Sequence, residues 1–83
     1  MEANTFQKRA VIFGDDQEPE FIEAKNLLER AGYSISIPPA EGMALEIHVY
    51  PSNNRTDARR LNLQQLKRFL NGEEILRSMW TIL

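Results

Sequence analysis

Residues 9–37 are punctuated so closely that little freedom of element is left. Arg9-Ala10-Val11-Ile12-Phe13 is a short run, apolar on both faces and closed by Gly14, which reads as a central strand. Gly14 to Glu20 is a polar turn that becomes a helix. Pro19 suits the first helical turn, where its missing N–H costs nothing, and the surrounding acids suit the positive end of the helix dipole. Phe21, Ala24, Leu28 and Ala31 then recur at helical spacing, with Gly32 as the stop, so a helix is expected over residues 19–31. Tyr33, Ile35 and Ile37 alternate with Ser34 and Ser36, the pattern of a half-buried strand ended by Pro38-Pro39.

The alternation returns after the loop around Gly42. Leu45, Ile47 and Val49 share one face, and Glu46, His48 and Tyr50 the other. Two alternating strands on a short loop predict an antiparallel hairpin with one face left to solvent or a partner. In the last third, Asn62 with Gln65 has the spacing of a capping box, flanked by Leu61 and Leu66 as a hydrophobic staple. Asn71 with Glu74, and Leu70 with Ile75, repeat the pattern. Two short helices near 63–70 and 72–82 with a bend at Asn71-Gly72 follow from this, and Asp57 to Arg60 reads as an extra helical turn before them. The expected fold is α+β, a single β-α-β-β-α-α domain over residues 1–83 with 1–7 as a tail. Its sheet would be three-stranded and mostly antiparallel, with the helices on one face. The alternative is a ferredoxin-like βαββαβ arrangement with residues 79–83 as the fourth strand.

Composition removes the usual staples of a small domain. The chain has 83 residues, no cysteine and one histidine, so disulfides and thiolate or histidine-rich metal sites are closed to it. No cofactor and no metal are expected. The absence of cysteine fits a reducing compartment, no apolar stretch reaches membrane-spanning length, and the N-terminus lacks the pattern of a signal peptide, so a cytoplasmic location is expected.

Each chemical feature has a plain structural reading beside the functional one. The Gly14-Asp15-Asp16 turn occupies a place where α/β proteins hold magnesium or phosphate, yet no phosphate-binding glycine motif accompanies it and the acids repel an anion. It reads as a solvated turn capping the first helix. His48 beside Glu46 could be a tuned base, but Ser34 and Ser36 have no announced oxyanion hole and no G-x-S-x-G is present. The expectation is therefore no enzyme. Residues 10–39 resemble the opening of nucleoside deoxyribosyltransferase-like α/β domains: a strand ending in glycine, a helix ending in Arg-Ala-Gly-Tyr and a strand ending in proline. That resemblance brings no catalytic motif with it.

Charge is divided along the chain. Residues 14–50 hold eight acids against Lys25 and Arg30, whereas residues 51–83 hold six bases against Asp57, Glu73 and Glu74. Such a division bears on association. The expected function is a small non-enzymatic binding or regulatory protein acting through a protein–protein interface, as a homodimer or as an inhibitor or adaptor of a larger protein. Its partner-binding residues would be Arg55, Arg59, Arg60, Lys67 and Arg68 together with the apolar Met79, Trp80 and Ile82. A ligand- or nucleotide-binding domain using the Gly14–Glu20 turn is the alternative. Weak nucleic-acid binding through a basic helix at 59–68 comes third, disfavoured by the net charge of −2 and by the lack of aromatic residues among the bases. No membrane partner is expected.

Overall fold

The computed structural model describes residues 6–40 and 42–82, with side chains described as far as Gly72. The element order is β1 (Arg9–Phe13), α1 (Pro19–Arg30), β2 (Ser34–Ser36), β3 (Glu46–Tyr50), a 3-10 turn at Arg55–Asp57, β4 (Arg59–Leu61) and α2 (Leu63–Ile82). The four strands form one mixed sheet in the order β2-β1-β3-β4. β1 pairs in parallel with β2 and antiparallel with β3, and β3 pairs antiparallel with β4. The α+β class and the central place of β1 agree with the sequence.

Glycine and proline set the limits of α1. Glu18 precedes it in extended conformation, and Pro19 opens it. No acid caps it through a side chain, contrary to expectation. Asp15 instead closes its own turn, accepting from the Gln17 N–H at 2.9 Å through Oδ1 and from the Glu18 N–H at 3.0 Å through its carbonyl. At the other end the Gly32 N–H donates to the Glu29 carbonyl and the Tyr33 N–H to the Leu28 carbonyl, with Gly32 at φ 91°. That is a Schellman stop, and its left-handed position favours glycine.

Three expectations are corrected and one alternative is set aside. The sheet has four strands because Arg59 and Arg60, read from sequence as part of a helical turn over Asp57 to Arg60, form with Leu61 a strand that pairs with β3. β2 and β3 are not a hairpin: residues 37–45 carry the chain across the end of β1, which lies between them. Alternation reports which face a side chain takes and is silent on which strand lies alongside. The last third is a single helix over Leu63–Ile82, unbroken at Asn71-Gly72. A lone helical glycine costs only about 1 kcal/mol, which the surrounding helix formers offset. Finally, Met79 to Ile82 belong to that helix, so the alternative fourth strand is not formed.

The first capping box is made as read. The Gln65 N–H donates to Asn62 Oδ1 at 2.8 Å, and the Asn62 N–H donates to Gln65 Oε1 at 2.9 Å. Leu66 is fully buried behind it, with Leu61 packed against the core.

One parity of each strand builds the core. Ala10 and Ile12 of β1 and Ile47 and Val49 of β3 are buried with Phe21, Ala24 and Leu28 of α1, Tyr33, and Leu66 of α2. Both helices therefore cover the same face, and an ion pair between Lys67 Nζ and Glu23 Oε2 at 2.8 Å ties one to the other. Gly14 is where the chain passes closest. A Cβ there would lie 3.3 Å from the Leu45 Cα, and φ is 141°, so a side chain would be crowded by that backbone and strained in its own.

Candidate functional site: the open face of the sheet

Among the described residues, no helix lies over the other parity of the strands. Register places Arg9, Val11 and Phe13 of β1 opposite Tyr50, His48 and Glu46 of β3, with Ser34 and Ser36 on one flank and Arg60, paired with His48, on the other. Val11, Phe13, Glu46, His48 and Tyr50 are half-buried by one another, whereas Arg9 and Arg60 are exposed.

Contacts across the strands organise this face. The Phe13 and His48 rings meet edge-on with centroids 5.1 Å apart. The Arg9 guanidinium lies over the Tyr50 ring, 5.3 Å from its centroid, a cation–π arrangement. His48 Nε2 donates to Glu46 Oε1 at 2.9 Å. That hydrogen bond, helped by the positive charge of Arg60 and opposed by partial desolvation, holds the Glu46 carboxyl below the usual carboxylate range.

The same register bears on the catalytic possibility. Ser36 and His48 both stand beside Val11, on opposite sides of β1. Two strand spacings of about 4.8 Å separate them, roughly three times the reach of a nucleophile–base hydrogen bond. Among the described residues no cluster of three or more carboxylates and histidines could hold a metal.

Among the described residues, a recess lies at each end of the sheet. One, about 330 Å³, is walled by Asp15, Glu18 and Glu20 with Phe21 and the 42–45 segment. Three carboxylates on its wall make it unsuited to a phosphate. The other, about 360 Å³, is lined by Phe6, Arg9, Tyr50 and residues of the loop between β3 and β4.

The bases expected to act together are dispersed. Arg60 lies on the open face. Arg59 pairs with Val49 and so belongs to the helix-covered side, where it is exposed. Arg55 starts the 3-10 turn. Lys67 is held by Glu23 between the helices, and Arg68 is exposed on α2. The basic helix expected at 59–68 is a strand as far as Leu61 and a helix only from Leu63. Met79, Trp80 and Ile82 belong to α2, but their side chains lie outside the described residues. Sequence reading found the row Glu46, His48 and Tyr50 from its alternation and missed Arg9 and Phe13. Their signal was the half of the β1 run that shares a face with Arg9, and it was legible only once β1 was known to lie beside β3.

No helix among the described residues is long and apolar enough to cross a membrane. Compared with family models, curated proteins and solved structures, the chain matches none.

Proposed function

We propose that this chain is a small non-enzymatic binding protein that regulates or adapts another protein, and that it takes a short acidic segment of that partner on the open face of its sheet. The observation that carries the reading is the row of Phe13, His48 and Tyr50 with exposed guanidiniums at Arg9 and Arg60. Aromatic residues and arginine are the side chains that anchor protein interfaces. Size selects the occupant. Four strands about 4.8 Å apart, the inner two five residues long and the outer two three, make a platform of at most about 14 by 17 Å, far below the roughly 800 Å² per partner of a stable globular interface. A segment laid across the strands fits this area. Charge selects its sign: the one carboxylate of the face, Glu46, is already engaged by His48, which leaves Arg9 and Arg60 to meet acids. A nucleic-acid backbone suits it less well, because the platform adjoins the Asp15, Glu18 and Glu20 wall and offers no continuous cationic track.

Selection from a random peptide library tests this. Acidic sequences should be enriched, and Arg60→Glu should weaken binding of the selected peptides about tenfold or more, the size of one lost charge-assisted contact. Arg68→Glu, on α2, should leave binding unchanged. Enrichment indifferent to Arg60→Glu overturns the reading. Tighter binding of single-stranded oligonucleotides than of peptides replaces it with nucleic acid, and a dimer blocked by Arg60→Glu gives the face to a second copy.

A further inference from the structure

We propose that the recess at the Arg9 end of the sheet is an oxyanion site, which takes a carboxylate or a phosphoryl group. It lies where β1 begins and β3 ends, and the loop between β3 and β4 closes its far side. Its volume of about 360 Å³ leaves ample room for such a group. Two cations line it, Arg9 and Arg55, together with the Asn53 amide and the rings of Phe6 and Tyr50, and no carboxylate is among the lining residues. Neither guanidinium is paired with a carboxylate among the described residues. Planar guanidinium forks match carboxylate and phosphate oxygens in pairs.

The two arginines are presented by different kinds of support. Arg9 is laid on the Tyr50 ring, which limits the freedom its side chain would otherwise lose on binding. Arg55 stands on a loop tied by its own polar groups. The Ser52 hydroxyl donates to Asp57 Oδ2 at 2.5 Å and accepts from the Asn54 N–H at 3.1 Å. Asn54 Oδ1 accepts from the Thr56 N–H at 3.1 Å and from the Thr56 hydroxyl at 2.9 Å. Asp57, the one acid of the loop, is thus engaged with Ser52 and does not line the recess. The opposite recess makes the contrast, with three carboxylates and no base on its wall.

This inference rests on the acidic-segment reading in one respect: the oxyanion is carried by the bound segment, as a carboxylate or as a phosphorylated residue. The site itself is tested without that segment. The full chain, labelled with ¹⁵N, is titrated with inorganic phosphate and separately with succinate at an ionic strength held constant with chloride. Saturable amide shifts are expected at Arg9, Tyr50 and residues 53–55, and none at residues 15–21. Arg55→Ala should weaken the probe about tenfold or more, whereas Arg68→Glu, on α2 and outside the recess, should leave it unchanged. Tighter binding of phosphate or of succinate supports the site in either case and names the group it prefers. Shifts that never saturate, or an affinity that Arg55→Ala does not alter, overturn it. If the peptides selected on the open face still bind while phosphate and succinate do not, the recess alone is refuted. If both probes bind and no peptide does, the site stands and the segment reading fails.

Discussion

Glu46 is the residue whose chemistry is most altered by its place in the fold. Its carboxyl is held below the usual range, first by the hydrogen bond from His48 and then by Arg60. In the unfolded chain neither partner is there, and a glutamate titrates near about 4.3. A carboxyl whose pKa falls on folding binds fewer protons in the native state than in the unfolded one. Its contribution is therefore present above that unfolded value and is lost as pH falls through the lower folded one. Glu46→Gln should remove this increment. Between about pH 6 and pH 3, the range around the unfolded value, the urea midpoint of the native chain should fall more steeply than that of the variant. Parallel curves would show that the His48–Glu46 contact has no such linkage. The effect should be small, since the Glu46 side chain is 42% exposed and solvent screens the contact.

At the scale of the element, α2 decides between two kinds of local signal. Asn62 and Asn71 carry the same residue pattern, but only Asn62 stands at a helix start, where N–H groups lack partners. Asn62→Ala should lower stability by about 1 kcal/mol. Asn71→Ala, at an exposed helical position, should be neutral or slightly stabilising. Gly72→Ala should raise stability by about 0.5–1 kcal/mol, because a Cβ there meets nothing within 4 Å. Urea midpoints of the three variants check this, and a cost at Asn71 equal to that at Asn62 would mean that the helix is interrupted. What the sequence made legible follows the range of the signal. The stop at Gly32, the cap at Asn62 and the two-sided character of β3 are written within a few residues. The pairing of Arg59–Leu61 with β3 is not, because Arg59 and Arg60 are ordinary helix formers and only the edge offered by β3 makes them a strand.

For the whole molecule, the two sheet ends carry opposite charge, one with Asp15, Glu18 and Glu20, the other with Arg9 and Arg55, although the remaining bases of the last third are dispersed. The candidate face was half legible for the same reason. Glu46, His48 and Tyr50 share a face by period, but Arg9, Phe13 and Arg60 join them only through pairings with strands distant in sequence. Those pairings also give the chain a vulnerable stage as it is made. β1 is made well before β3, yet it is an inner strand of the finished sheet, and its partner β3 starts only at Glu46. A nascent chain of which only the first 45 residues have emerged can set β2 against β1 and nothing against the other side of Ala10-Val11-Ile12-Phe13. That apolar strand then offers a row of free N–H and C=O groups to any neighbouring chain. The fragment 1–45 should accordingly scatter light and bind a hydrophobic dye at concentrations where the full chain does neither. Slow emergence of β3 would lengthen that exposure, which ends only when Tyr50 has cleared the ribosome and both sides of β1 are occupied.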